Sequence, residues 1–385
     1  MRFADNRNKI GKYIPAVVFL IFIYGMALWF IFSPKPDYSS SEKRYLQKFP
    51  EVTAEKLLSG DFGSEFETFF ADRFPQRNTW VGLNAYTALA EGNNGASGVY
   101  NCKNGYLINK PVSTENNLDK NIGAVADFAK SIDTPTTVML VPSTGYIVDD
   151  VLPTFHDKYN DDEDISKISS TLSKDKIGFV DLRERFKSEY KNGSQIYYKT
   201  DHHWTTKGAY TGYQELCKAL GITPIDDSTL KKDSYPDFYG TTYSSSGFWL
   251  TPPDNIEIWN NPKNSDRNIS VKITEGANIK TSGSMYFTDH LKEDDKYPVF
   301  IDGNHALTEI TNTNAKNGTI LLIKDSFSHS LAPFLAENYS EVILVDMRYY
   351  KNSISELAQQ EKPDNILVLY GIDNLATDTD IAWLS

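Results

Sequence analysis

Residues 13–32 form an unbroken apolar run, preceded by Arg2, Arg7, Lys9 and Lys12. A run of about 20 uncharged residues is one bilayer crossing, and basic residues on its N-terminal side hold that side in the cytoplasm. A cleaved signal peptide is the alternative, with a shorter apolar core and small residues after it. Here Trp29, Phe30, Ile31 and Phe32 lead straight into Ser33-Pro34-Lys35-Pro36. The pattern predicts a cytoplasmic tail and transmembrane anchor at 1–36, and hence a single-pass cell-membrane protein with an extracellular remainder. Residues 37–50 are polar and bounded by proline, a linker. Residues 53–74 carry Leu57, Leu58, Phe62, Phe66, Phe69 and Phe70 at helical spacing, with Gly60-Asp61 as a break. Residues 78–90 predict a second helix with Asn78 as N-cap. The stretch 37–95 is thus a linker and helical stalk.

From residue 96 onward the pattern alternates. A hairpin is predicted over 98–108. Strands follow at 136–141, 177–182, 320–323, 341–345 and 365–370, and helices at 113–131, 164–172, 206–220, 328–337 and 354–360. Strands alternating with helices predict an α/β domain, a mainly parallel sheet covered on both faces. Residues 233–317 break the alternation. They are rich in Tyr, Ser, Gly, Asn and Pro, with short β-like pieces at 256–259 and 269–273, and read as a β-rich insertion into a 96–385 catalytic domain. In such sheets sites collect beyond the carboxyl ends of the strands. Ser143, Asp325 with Ser326, residues 346–350 and residues 371–374 fall there.

Composition narrows the function. Net charge is −12, with no Lys/Arg cluster beyond the first dozen residues, which argues against nucleic acid as a partner. The 23 Tyr, 21 Phe and 6 Trp supply rings that can stack on sugars, although most must serve the core. Cys102 and Cys217 form one disulfide or stay as two thiols; the sequence leaves this open. Their spacing is not that of a zinc site.

Two motifs carry chemistry. Thr200-Asp201-His202-His203-Trp204-Thr205 places a carboxylate two residues before an imidazole, and Lys324-Asp325-Ser326-Phe327-Ser328 places a serine where a strand gives way to a helix. A serine hydroxyl is a poor nucleophile until an imidazole takes its proton and a carboxylate fixes that imidazole's tautomer. In an extended segment Asp201 and His203 project to one side and His202 to the other. The Ser326 N–H, near a helix N-terminus, is a natural donor to a developing oxyanion. The bland alternatives are helix capping by Asp201 and Ser326 and a core role for His203. His329 also lies within a turn of Ser326 and ranks below His203. Adjacent His202 and His203 diverge and no further ligand cluster follows, so no metal or other cofactor is expected.

The chain resembles the bacterial DHHW family, named for residues that stand here as Asp201-His202-His203-Trp204. Through it, the chain is similar to the alginate O-acetylation proteins. The resemblance extends over 42–50, the 69–77 segment with Asp72-Arg73-Phe74-Pro75, 98–107, Val141-Pro142 and Asp325-Ser326-Phe327. It implies an SGNH-hydrolase-like three-layer α/β/α fold in which Asp and His precede Ser. Ser326 would be the nucleophile, His203 the base and Asp201 the orienter. Lys324 departs from the glycine usual two residues before the serine, leaving the second oxyanion donor open. Arg348, Tyr349 and Asn374 are the substrate-binding candidates, against a packing or surface role. The implied activity is O-acetylation of an extracellular polysaccharide, with the acetyl group delivered by a membrane-bound O-acyltransferase. An acetyl esterase and a non-catalytic glycan-binding scaffold of an export complex are the alternatives.

Overall fold

The computed structural model describes residues 2–39, 42, 44–112 and 117–384. Contacts divide the chain into two compact units, Met1–Asn84 and Ala85–Ser385.

The first unit begins with the helix Arg2–Phe32. Its segment Tyr13–Phe32 is long and apolar enough to cross a membrane, with mean hydropathy 2.4 and no part of that window buried. A signal sequence near an N-terminus has the same properties. Two further helices, Ala54–Ser59 and Asp61–Asp72, are separated by Gly60 in the left-handed conformation (φ 87°), which a side chain would resist. Thr53 caps the first by accepting from the Lys56 N–H. The expected stretch 53–74 is therefore two helices, broken at the glycine. Asn78 is not an N-cap, because the helix Arg77–Ala90 already includes it, following Gln76 at φ 57°. Residues 37–50 are tied down by arginines. Arg44 grips the Asp72 carboxylate through both guanidinium nitrogens at 2.9 and 2.5 Å, and Arg73 donates to the Gln47 carbonyl at 2.8 Å.

The second unit is built on an eight-stranded sheet. In chain order its strands are β1 (Thr136–Val141), β2 (Gly178–Asp181), β3 (Ile269–Glu275), β4 (Asn278–Ser282), β5 (Leu307–Asn312), β6 (Asn317–Lys324), β7 (Tyr339–Val345) and β8 (Asn365–Gly371). Their spatial order is β4-β3-β5-β7-β6-β8-β1-β2. The run β7-β6-β8-β1-β2 is parallel, while β4, β3, β5 and β7 pair antiparallel. This is the mixed α/β sheet, mostly parallel at its centre, that the alternating pattern predicts.

Side-chain alternation sends Ile320 and Leu322 of β6 to one face and Leu321 and Ile323 to the other. The first face packs on the helices Arg183–Lys191, Thr206–Leu220 and Ser328–Leu335 through Phe186, Leu216 and Leu331. The second packs on Asn117–Ser131, Asp161–Lys174, Ile354–Glu361 and Ile372–Thr377 through Phe128, Leu172, Leu357 and Leu375. With both faces covered, the central strands read as continuous apolar runs.

Residues 233–317 do two things. Lys231–Phe238 and Asp254–Asn260 form a separate antiparallel ribbon, and β3, β4 and β5 extend the main sheet beyond β7. The predicted hairpin is a three-stranded antiparallel sheet of Gly95–Ala96, Val99–Asn101 and Leu107–Asn109. Of the helix predicted over 113–131, residues 113–116 lie outside the described residues and the remainder is seen from Asn117. The helix Arg183–Lys191 was not anticipated. Cys102 and Cys217 are both buried and unbonded, and burial pushes each thiol up to about 12.

Candidate active site

Strand β6 ends at Lys324, and the next residue shapes the turn. The buried Asp325 carboxylate accepts from the Phe327 N–H at 3.0 Å, from the Gly371 N–H at 2.8 Å and from Asn374 Nδ2 at 2.7 Å. It closes a tight turn around Ser326 and ties that turn to the end of β8. Burial raises the pKa of Asp325, and these donors oppose the rise. Gly371 makes room for the Phe327 ring: a Cβ would stand 2.6 Å from it.

The histidine segment is held by a second buried carboxylate. Asp254 accepts from the backbone N–H groups of Lys199 and Thr200 at 2.9 and 2.8 Å, from the Thr200 hydroxyl at 2.7 Å and from Gln195 Nε2 at 2.8 Å. This fixes the chain just ahead of Asp201, which is only 1% exposed. Asp201 Oδ1 accepts from the His203 backbone N–H at 2.9 Å and from its Nδ1 at 2.5 Å. Its Oδ2 accepts from the Thr241 N–H at 2.7 Å and the Thr241 hydroxyl at 3.1 Å. Four donors thus satisfy a carboxylate that would otherwise be costly to bury. Gly240 permits the approach, since a Cβ there would lie 2.1 Å from Asp201 Cβ.

The two segments meet at His203 Nε2, 2.7 Å from Ser326 Oγ. Asp201 accepts at Nδ1, so the ring proton belongs there and Nε2 is left to accept from the serine hydroxyl. The imidazole is sandwiched. Tyr297 stacks on it at a 4.0 Å centroid distance and 11° interplanar angle, and Phe327 meets it edge-on at 5.0 Å. The Tyr297 hydroxyl donates to the Ser326 carbonyl at 3.3 Å. Trp204 joins the segments from below, its Nε1 3.0 Å from the Phe327 carbonyl and 2.9 Å from Ser330 Oγ. Among the described residues the Ser326 N–H has no acceptor, so it is open to a ligand.

His202 does not point away from His203, as an extended segment would require. The chain bends through 201–203, the two rings lie 3.9 Å apart, and His202 Nδ1 is 2.7 Å from Thr241 Oγ1. Asp201, His202 and His203 could be read as a metal cluster. The Asp201 oxygens and both His203 ring nitrogens are engaged with one another, Thr241 and Ser326.

A small cleft of about 50 Å³ lies next to His202 and Phe327, bordered also by Ser143, Tyr159, Asp373 and Asn374; Asp201, His203 and Ser326 are not among its lining residues. Asn374 therefore faces the cleft. Arg348 and Tyr349 are not among its lining residues: Arg348 grips Asp346 at 2.8 and 2.6 Å and reaches Asn304 at 3.0 Å, and Tyr349 is exposed. His329 turns away from the Ser326 hydroxyl and accepts from Lys324 Nζ at 2.9 Å. Burial holds its pKa well below the ordinary value. Tyr297, Thr241 and Asp254 were missed by sequence reasoning. Asp373 lies in the 371–374 stretch flagged at the end of a parallel strand.

Residues 112–345 match the family model described as DHHW protein. The chain belongs to the DHHW family. Solved structures are similar to this chain at low identity. A DHHW family protein from Eubacterium siraeum is 18% identical, with TM-score 0.62 over 74% of this chain and 95% of its own. Bacillus cereus PatB1, solved with a sulfonyl adduct, is 20% identical, with TM-score 0.62 over 74% and 97%. The O-acetyltransferase domain of Pseudomonas putida AlgJ is 13% identical, with TM-score 0.48 over 75% and 95%. No curated protein matches the chain.

Two predictions follow from this geometry in the DHHW protein. Gly240→Ala should push Asp201 from its four donors and lower acyl-ester turnover by about 100-fold, the scale set by ångström-level misplacement. Unchanged turnover of an aryl acetate would show that Asp201 does not orient His203. The second concerns the cleft. Burial and the charge of Asp161 raise Asp373 from 3.8 to about 7, so the folded state binds a proton that the unfolded state has lost. Stability from this group therefore falls as pH rises between these values. Denaturant titrations across that range should show a flatter pH dependence in Asp373→Asn than in the native chain.

Proposed function

We propose that this DHHW protein is a membrane-anchored serine acyltransferase that esterifies hydroxyl groups of an extracellular polysaccharide with acetate. The observation that carries the reading is the continuous hydrogen-bonded line from Asp201 through His203 to Ser326. In this reading Ser326 Oγ attacks the donor's acyl carbon while its proton passes to His203 Nε2. The Ser326 N–H receives the developing oxyanion. His203 returns the proton to the departing donor group, leaving an acyl-serine. A sugar hydroxyl then gives its proton to His203 and attacks the same carbon, so Ser326 is regenerated and the sugar carries the ester. Asp201 keeps the imidazole oriented and stabilises its cationic form.

Asn374 and the cleft residues would contact substrate. Arg348 and Tyr349, after β7, remain candidates for a longer polymer. We read the layered sheet as SGNH-hydrolase-like, the helix 13–32 as a retained anchor with the catalytic unit outside the cell, and a membrane-bound O-acyltransferase as the donor partner. The stalk at 37–95 and the catalytic domain at 96–385 complete this proposal. The sulfonyl adduct of Bacillus cereus PatB1 makes a sulfonyl fluoride a suitable probe of Ser326.

In Ser326→Ala, acetate esters on the cell-surface polysaccharide and sulfonyl labelling should both be lost, with anchoring and expression unchanged. Acetylation at the native level in that variant would end the reading.

A further inference from the structure

We infer that the helices Ala54–Ser59 and Asp61–Asp72 lie along the outer membrane–water boundary, with Phe49, Val52, Leu57, Leu58, Phe66 and Phe70 seated in lipid. The inference rests on the reading of residues 13–32 as a retained anchor.

The first unit carries far more exposed apolar surface than water favours. Leu58 is 90% exposed, Val52 65%, Phe49 58% and Leu57 55%, and apolar area left in water costs roughly 25 cal/mol per Å². Contiguous exposed apolar patches mark interaction surfaces. The position of this patch identifies what covers it. Phe30, in the last turn of the anchor helix, lies 4.7 Å from Phe70 and 6.2 Å from Phe69. Phe69 continues the cluster to Phe49 at 5.4 Å and Phe66 at 6.2 Å. Arg73 locks the connection, its Nη1 donating to the Lys35 and Pro36 carbonyls at 2.8 Å each. These residues are thus fixed at the depth where a membrane-spanning helix leaves the bilayer, the level at which aromatic side chains concentrate.

Phe62, Phe66 and Phe70 recur every four residues, one stripe of a helix. The rest of that helix carries Asp61, Glu65 and Glu67, and Glu65 is paired with Lys56 at 2.8 Å. This is an interfacial amphipathic helix without the basic face that seeks anionic lipids. Its occupant is therefore the apolar upper region of the bilayer, not a charged headgroup or an acidic protein.

The test uses the full chain, alone, in phosphatidylcholine nanodiscs. Nitroxides are placed at Leu58→Cys, Phe66→Cys and Glu67→Cys, with Ala27→Cys as a probe of the anchor; the native cysteines are buried. Accessibility to oxygen and to a water-soluble nickel chelate is read at each site. Leu58 and Phe66 should be several-fold less accessible to nickel than Glu67, and phosphatidylglycerol should not change this. Equal nickel access at all three sites overturns the inference and leaves the patch to a protein partner. Nickel access at Ala27 would instead overturn the anchor reading on which it rests. Neither result depends on acyl transfer, and Ser326→Ala should give the same depths.

Discussion

The site exists because one indole bridges two distant pieces of chain. Trp204 is fully buried, and its N–H lies within reach of both the Phe327 carbonyl and Ser330 Oγ, 123 and 126 residues further along. It fastens the histidine segment to the first turn of the helix that follows the serine. The ring also meets Phe327 edge-on at 5.6 Å, and the flanking helix accepts it only through glycines. A Cβ on Gly208 would stand 2.8 Å from Trp204 Cβ, and one on Gly212 3.0 Å from the ring. Because the contact is both packed and hydrogen-bonded, the His203-to-Ser326 distance is set by the core and not by a flexible loop. This is the rigidity a proton-transfer pair requires.

Around that bridge, each buried charge has its own compensation. Asp201 and Asp254 are each met by four donors, and Asp325 by three. Leaving any of these carboxylates short of a donor would cost about 1–3 kcal/mol or more. Their role is positional: Asp254 sets the approach to Asp201, Asp201 sets the imidazole, and Asp325 sets the serine turn. Asp373 stands apart. It borders the cleft, takes one hydrogen bond from Ser143 Oγ at 3.2 Å, and is raised by burial and by Asp161. A carboxyl group raised to about 7 can both donate and accept hydrogen bonds near neutral pH.

The central strands and most helices were legible because burial on both sheet faces leaves runs of apolar residues, such as 320–323 and 366–370, that no other pattern explains. Asp201, His203 and Ser326 were legible because histidine is scarce in the chain, with 6 copies, and because the D-x-H pattern and a serine at a strand's end occur together. Tyr297 and Asp254 were not. Each acts by stacking or by accepting backbone N–H groups, which leaves no trace in local sequence, and each lies in the 233–317 segment, where periodicity fails. His202 was misplaced for a related reason: side-chain direction was inferred from an extended backbone, and the carboxylate of Asp201 bends that backbone by accepting from the His203 N–H. Cap positions failed at Asn78 because the helix starts one residue earlier, after a left-handed Gln76 that composition did not announce.

Lys324 is where sequence pattern and structure part most instructively. The family resemblance implies a glycine there, and a lysine two residues before Ser326 suggests a participant in the chemistry. Its ammonium instead runs beneath the sheet's end to Asp346 at 2.9 Å and His329 Nε2 at 2.9 Å. Burial lowers its pKa while Asp346 supports its charge. The alternation along β6 explains the direction: Leu322 faces the helix Ser328–Leu335, and Lys324, two residues on, faces the same side. The Asp346 carboxylate that receives it is also the one that holds Arg348. Lys324 thus couples the end of β6 to the loop after β7 without entering the cleft. A side chain at this position is tolerated because its ammonium is taken up by Asp346 and His329, and the backbone turn around Ser326 is set by Asp325, not by its neighbour.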